Sequence, residues 1–91
     1  MKKFEKGSIY YSRDCADYNN VSVIKVINTS GKTLKFINED GEHKTCRIKQ
    51  NETEGFEFVT PKKQYFIAKS ELTEEVNGQG FYEYVHKSVF A

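Results

Sequence analysis

Hydrophobic and polar residues alternate most clearly between residues 21 and 49, where three runs rich in β-branched and aromatic side chains follow one another. The runs cover residues 21–27, 33–37 and 44–49. Between them lie Thr29-Ser30-Gly31 and Glu39-Asp40-Gly41, and a glycine can adopt the positive φ that a tight hairpin turn requires. Residues 21–49 are therefore predicted to form an antiparallel meander of three strands.

The second and third runs each have an apolar and a polar face. Leu34 and Phe36 share one phase of the second run, and Cys46 and Ile48 share one phase of the third. The opposite, mostly polar phase contains Thr33, Lys35 and Ile37 of the second run and Thr45, Arg47 and Lys49 of the third. The first run alternates less cleanly, which predicts either a strand buried on both faces or a bulge near Ile24.

Strand patterns also occur outside the meander. They cover residues 6–12, 56–60, 65–68 and 81–90, with polar connections at 13–20 and 50–55. In the first of these strands, Ile9 and Tyr11 are predicted to point to one side and Tyr10 to the other. Ser70 is a suitable N-cap for one helical turn over residues 70–75, since acidic residues follow it.

Short strands separated by short turns predict an all-β fold. We expect a small SH3-like barrel or roll of about five to six antiparallel strands, with one short helical turn near residues 70–75. An OB-like barrel is the alternative closure. Residues 1–72 are assigned to a small β-barrel domain, and residues 73–91 to a C-terminal extension that adds a strand to the same domain.

Composition is consistent with one small domain. The chain has 91 residues, and its seven Phe and six Tyr must supply most of the large apolar side chains of the core. Charged residues make up 30% of the chain but the net charge is only +1, which indicates a well-solvated surface. The basic start at residues 1–6 is not followed by an apolar run, so no signal peptide is expected and the predicted location is cytoplasmic.

The residues with metal-binding or nucleophilic chemistry do not form a recognisable motif. His43 and Cys46 are the only closely spaced pair among Cys15, His43, Cys46 and His86, and the paired knuckles of structural zinc sites are absent. A Cys15–Cys46 disulfide is disfavoured in a reducing cytosol. No nucleophile elbow and no glycine-rich phosphate loop occurs. The sequence therefore predicts no metal, no cofactor and no enzyme.

Nucleic-acid binding is a possible function of the polar face of the meander. Its candidate residues are Lys35, Lys44, Arg47 and Lys49, which could line a basic stripe beside exposed tyrosines. Glu39, Asp40 and Glu42 interrupt the same stretch, and the pI of 7.7 lies below the value above 9 that is typical of a basic footprint. An SH3-like or OB-like nucleic-acid-binding module is therefore the alternative prediction.

Protein binding is the first prediction. The C-terminal run has aromatic residues in both phases, and Tyr82 and Tyr84 could anchor a partner protein or pair with a second copy of the chain. The polar loop at 13–20 offers a second surface, with Asp14, Asp17 and Tyr18 as candidates. The expected oligomeric state is a monomer, or a homodimer formed through the C-terminal strand. No membrane partner is expected.

Several short motifs also resemble a known group of proteins. They are Lys6-Gly7-x-Ile9-Tyr10-Tyr11-x-Arg13, Asp17-Tyr18-Asn19, Val26-Ile27, Gly31-Lys32-Thr33-Leu34, Asp40-Gly41-Glu42, Cys46-Arg47-Ile48-Lys49, Tyr65 and Ala68. Over about residues 3–72 the chain is similar to small uncharacterised accessory proteins of Firmicutes phages and mobile elements, which have a KxGxxYY start and a KT hairpin. The C-terminal 73–91 segment has no counterpart in this resemblance.

The resemblance implies a genomic context and no site residues. A small phage or mobile-element protein of this type is expected to be a non-enzymatic binder that occupies a host protein. Inhibition of a bacterial defence system, in the manner of an anti-CRISPR protein acting on a CRISPR effector, is one form of this function. The sequence prediction is accordingly a small β-barrel that binds a host protein or protein complex.

Overall fold

The computed structural model describes residues 1–13, 21–61, 64–73, 83 and 85–90. Within these ranges the chain is nearly all-β, as predicted, and ends in one short π-helical turn. The elements are β1 Ile9–Arg13, β2 Val21–Thr29, β3 Thr33–Asn38, β4 His43–Arg47, β5 Lys49–Asn51, β6 Phe56–Val59, β7 Phe66–Ile67 and the π turn Val85–Val89.

The strands form two antiparallel sheets. The first sheet has the order β1-β2-β3-β4, and the second has the order β5-β6-β7. The predicted meander is thus present as β2, β3 and β4, with Leu34 opposite Cys46 and Phe36 opposite Lys44. Both glycines of its turns adopt the expected left-handed conformation, with φ of 85° at Gly31 and 81° at Gly41.

Strand β2 combines the two alternatives that its irregular pattern suggested. It is buried on both faces, because Val23 belongs to one apolar cluster and Ile24 and Val26 to the other. It also contains a bulge, which lies at Ile27, three residues beyond the position predicted. Val26 pairs with Phe36 whereas Asn28 pairs with Lys35, so Ile27 is the extra residue.

The predicted third strand of the meander is divided at Ile48. The Ile48 N–H donates to the carbonyl of Lys32 at 2.8 Å, and beyond this point the chain leaves β3 and enters the second sheet as β5. The side chain of Ile48 is buried in the main core. One apolar residue at this corner therefore joins the two sheets and fixes how they close over the core.

The two sheets meet again after β7. The Tyr11 N–H donates to the Ser70 carbonyl at 3.0 Å, and the Leu72 N–H donates to the Ile9 carbonyl at 2.7 Å. Residues 70–72 therefore pair with the free edge of β1, and the helical turn predicted near residues 70–75 is not formed over the described residues 70–73. Pairing with β1 satisfies backbone groups that a single isolated turn would leave to water.

The main core lies between the two sheets. It contains Phe4, Tyr10, Ile24, Val26, Leu34, Phe36, Ile48, Val59, Phe66 and Ala68, with Cys46 packed against it. A second cluster lies on the outer side of β1 and β2, where Ile9, Val23, Leu72 and Val85 are buried together. Ile9 and Tyr10 thus face opposite clusters, as the alternation of the first strand predicted.

The C-terminal segment completes the second cluster. The prediction of a last strand over residues 81–90 is wrong for the described part, because Val85–Val89 is a π-helical turn and the Phe90 N–H donates to the Val85 carbonyl at 3.0 Å. Val85 is buried, with Val89 and Phe90 packed around its cluster. Burial of one side of this turn against β1 and β2 outweighs the β propensity of its valines.

The N-terminal residues are fixed to the second sheet by Glu57. Lys2 forms a parallel bridge to Phe56, and the Glu57 N–H donates to the Lys2 carbonyl at 2.9 Å. The chain then turns inward, and the Phe4 N–H donates to Oε1 of Glu57 at 3.0 Å. The ring of Phe4 packs edge-on against Tyr10, with 4.8 Å between ring centroids. The Glu57 side chain is therefore directed into the core.

Candidate functional site, an aromatic and lysine surface on the second sheet

The inward direction of Glu57 determines which β6 side chains lie on the outer side of the second sheet. Since successive side chains of a strand alternate, Glu57 and Val59 face the core and Phe56 and Phe58 face outward. Phe58 lies opposite Lys49 of β5 and Ile67 of β7. The outer side of the second sheet therefore has a row of aromatic rings at its centre.

Tyr65, just before β7, extends this row to the surface. The centroids of Phe58 and Tyr65 are 5.2 Å apart with an interplanar angle of 55°, and those of Phe56 and Phe58 are 6.3 Å apart at 72°. These separations are within the range in which aromatic rings attract one another. Phe56 is buried, Phe58 is half-buried and Tyr65 is 48% exposed, so the row opens to solvent at its Tyr65 end.

Two lysines flank the rings. Lys69 Nζ lies 5.4 Å from the centroid of Phe56 and donates to the carbonyl of Glu54 at 2.9 Å. On the other side, Lys49 Nζ donates to Oγ1 of Thr60 at 3.4 Å. We call Lys49, Phe56, Phe58, Tyr65 and Lys69 the aromatic–lysine face.

The strands of this surface carry cations on their outward side, whereas the exposed Glu52 and Glu54 lie in the turn between β5 and β6, next to Lys69. The outward-facing residues of the described strands β5, β6 and β7 are Lys49, Asn51, Phe56, Phe58 and Ile67, and none of these is a carboxylate. Glu57, the only acidic residue in these strands, is directed into the core. Exposed rings beside cations can stack on a planar group while the cations attract its negative charge, and a nucleotide has both features.

The structure places the predicted nucleic-acid residues on three surfaces. Lys35 and Arg47 are exposed diagonal neighbours on the outer side of the first sheet, because Lys35 pairs with Thr45 and Thr33 pairs with Arg47. Lys44 is in the opposite phase and forms an ion pair with Glu42 at 3.5 Å. Lys49 is in the second sheet, on the aromatic–lysine face. The predicted residues thus do not form one continuous stripe.

The residues predicted for protein binding lie outside the described residues. These are Asp14, Asp17, Tyr18, Tyr82 and Tyr84.

Four members of the aromatic–lysine face, all except Lys49, were not predicted from the sequence. An alternation such as Phe56-Glu57-Phe58 normally indicates that the aromatic rings face the core and the carboxylate faces solvent. Here the phase is reversed, because the Phe4 N–H needs an acceptor inside the core and Glu57 provides it. The direction of the β6 side chains thus depends on a contact between residues that are far apart in the sequence. The local sequence around Phe56 therefore does not predict it.

The described residues provide no metal cluster. No group of three or more His, Cys, Asp or Glu side chains lies together within the described ranges. Cys46 is a free, half-buried thiol, and burial raises its pKa, which disfavours the nucleophilic thiolate. Cys15 lies outside the described residues. Within the part of the chain that is described, no helix has the length and hydropathy to cross a membrane.

No protein-family model, curated protein or solved structure matches this chain.

Proposed function

We propose that the protein is a non-enzymatic binding module whose aromatic–lysine face binds single-stranded nucleic acid. The observation that supports this function is the exposed Tyr65 ring, which lies 5.2 Å from Phe58 on a sheet surface with lysines on both sides. Every base has a planar π surface, and small β folds use such rings for stacking without sequence preference.

The expected energies of stacking and of phosphate contacts indicate that binding is weak and sensitive to salt. Stacking of one base on an aromatic ring contributes about 1–3 kcal/mol, and each phosphate contact adds a counterion-release contribution that falls with salt. Phe58 and Tyr65 can accept one or two bases, and Lys49 and Lys69 can each contact a phosphate. Two lysines and a net charge of +1 do not provide a large electrostatic attraction. Binding should therefore depend on the rings at least as much as on charge.

Binding of a host protein is the second candidate function. The structural observation that favours it is that β4 is the last strand of the first sheet among the described residues. The phage or mobile-element origin, the anti-CRISPR-like inhibition, the absence of enzymatic activity and the cytoplasmic location stay predictions from the sequence. For the fold, we favour SH3-like over OB-like closure, supported by the meander β2-β3-β4 and the return of residues 70–72 to the edge of β1.

The test of nucleic-acid binding is a titration with labelled single-stranded oligonucleotides of about 12 nucleotides, a length within the site sizes of comparable β modules. The Tyr65→Ala variant should bind about 5- to 150-fold more weakly, the equivalent of one lost stacking contact. Tyr65→Phe is the matched control, since it keeps the ring and should keep the affinity. Equal affinity of the Ala variant and the wild type would exclude the aromatic–lysine face as the binding site.

A further inference from the structure

A groove lies on the outer side of the first sheet, beside the C-terminal π turn. Its volume is about 570 Å³, which is within the usual range of small-molecule pockets. Ile27 of β2 and Ile37 of β3 line it from the sheet, and Val89 and Phe90 line it from the C-terminal segment. All four side chains are half-buried, so they give the groove an apolar surface that is still open to solvent.

Three basic side chains line the same groove. Lys25 lies opposite Ile37, and Ile37 lies opposite His43, so the two basic residues flank an apolar one in a row across three strands. Lys6, in the turn before β1, lines the groove as well. No carboxylate occurs among the described residues that line the groove. Its described lining therefore combines apolar surface with positive charge.

The carboxylates of the neighbouring β3–β4 turn are engaged on the other side of the sheet. Glu42 accepts a hydrogen bond from Asn38 Nδ2 at 3.2 Å and forms an ion pair with Lys44 at 3.5 Å. Asn38 and Lys44 are both in the inward phase of their strands. Glu39 and Asp40 line a different cavity, together with core residues of β3 and β4. The turn therefore does not neutralise the basic side chains of the outer groove.

The basic residues of the groove have no acidic partner in the described part of the chain. The ion pairs found there do not include Lys6, Lys25 or His43. Glu5, next to Lys6 in the sequence, is exposed and is not part of the groove lining. Lys25 is half-buried, and a cation beside apolar surface attracts an anion more strongly than one in bulk water, because the local dielectric is lower.

We infer that this groove binds a small organic anion, one negatively charged group on an apolar body. The apolar body lies on Ile37 and Phe90, and the anionic group contacts Lys25. Pockets for small molecules commonly combine apolar walls with a few polar groups that fix the orientation of the ligand. The site is on a different sheet from the aromatic–lysine face, so this inference goes beyond nucleic-acid binding and does not depend on it.

The probe is decanoate, a carboxylate on an unbranched alkyl chain, kept below its micelle concentration. Its binding is followed through the backbone amide shifts of ¹⁵N-labelled protein, and the shifts should occur at residues 6–7, 25–27, 37–43 and 89–90. Decanol has no charge and acetate has no apolar chain, so each should bind at least about fivefold more weakly than decanoate. Absence of decanoate binding, or equal binding of decanoate and decanol, would overturn the inference.

Two lysine variants test the contact with the anionic group. Lys25→Met removes the charge and keeps an unbranched apolar side chain, so it should weaken decanoate binding at least about fivefold and leave decanol binding unchanged. Lys32→Met is the matched control, because Lys32 is exposed in the β2–β3 turn and is not part of the groove lining. Equal effects of the two substitutions would contradict a local contact. The ligand series on the unaltered protein decides the question if Lys25→Met fails to fold.

Competition between the two ligands separates this groove from the nucleic-acid function. Saturating decanoate should leave the oligonucleotide affinity unchanged, and decanoate binding should persist in the Tyr65→Ala variant. Both results support a separate site, whether or not the aromatic–lysine face binds nucleic acid. Displacement of decanoate by the oligonucleotide would assign the groove to nucleic acid and overturn the inference.

Discussion

Glu57 accepts a hydrogen bond from the backbone N–H of Phe4 at 3.0 Å, although 53 positions separate the two residues in the sequence. Glu57 is 3% exposed, so this contact lies inside the protein. It holds the N-terminal residues against the second sheet and directs the neighbouring Phe56 and Phe58 to the opposite side. One buried carboxylate thus connects the stability of the fold with the exposure of the aromatic–lysine face.

Replacing Glu57 tests this connection. In Glu57→Ala the Phe4 N–H is left buried without an acceptor, and the free energy of unfolding should fall by about 1.5–3 kcal/mol. Glu57→Gln keeps an oxygen acceptor and removes the buried charge, so its loss should be smaller, about 1 kcal/mol or less. Urea denaturation of the three proteins measures the difference. Equal losses in the Ala and Gln variants would show that the hydrogen bond does not hold the N-terminal segment.

The protein should lose stability at alkaline pH because of the buried phenol of Tyr10. Burial raises the pKa of Tyr10 above its ordinary value of 10.0, and the nearby Glu71 carboxylate adds to this, while the hydrogen bond that its hydroxyl accepts from the Glu5 N–H acts in the opposite direction. Below about pH 10 both the folded and the unfolded chain keep the phenol proton, and the stability is unaffected by this group. Above that pH the unfolded chain releases its proton first, so the free energy of unfolding falls as pH rises.

The Tyr10→Phe variant isolates this contribution. It should be less stable than the wild type near pH 7 by about 1 kcal/mol, because the Glu5 N–H loses its acceptor. Its stability should fall less steeply between about pH 10 and 11. Other alkaline titrations, including that of Cys46, occur in both proteins and cancel in the difference. Parallel stability curves across this range would contradict the prediction.

Val85 tests whether the C-terminal turn is part of the fold. Its side chain is 1% exposed and packs with Ile9, Val23 and Leu72. Val85→Ala should therefore lower the free energy of unfolding by about 1.5–3 kcal/mol, through lost burial and a residual cavity. Lys87→Ala is the matched control in the same turn, since its exposed ion pair with Glu83 at 3.9 Å should contribute less than about 0.5 kcal/mol. Similar thermal unfolding of both variants would mean that the turn does not stabilise the sheet.

The sequence predicted the local features of the fold well. Hairpin turns at Gly31 and Gly41, the buried phase of Leu34 and Phe36, and the opposite directions of Ile9 and Tyr10 all follow from alternation and turn chemistry. These features depend on residues close in sequence, and local steric rules are sufficient to predict them.

The features that the sequence did not predict depend on contacts between distant segments. The corner at Ile48 requires the second sheet, and the extended conformation of residues 70–72 requires the free edge of β1. The π turn at Val85 requires the outer side of β1 and β2 as a surface to pack on. The outward direction of Phe56 and Phe58 requires the contact of Glu57 with Phe4. For this last reason the candidate site, apart from Lys49, could not be predicted.

Replacing either lysine of the aromatic–lysine face should change how strongly the oligonucleotide affinity depends on salt concentration. Each lysine that contacts a phosphate of a single strand contributes about −0.7 to the slope of log affinity against log salt concentration. Lys49→Ala and Lys69→Ala should each reduce the slope by about this amount. Lys35→Ala is the control, because this lysine lies on the first sheet and should leave the slope unchanged. A reduced slope for Lys35→Ala alone would favour the first sheet as the nucleic-acid surface.

Nucleic-acid binding by the aromatic–lysine face is tested most directly by NMR, through the backbone amide shifts of ¹⁵N-labelled protein during titration with a single-stranded oligonucleotide. If this face is the binding site, the largest shifts occur at residues 49–51, 56–59 and 65–69, and they decrease in the Tyr65→Ala variant. Shifts confined to β3 and β4, or no shifts at low ionic strength, would contradict nucleic-acid binding by the aromatic–lysine face.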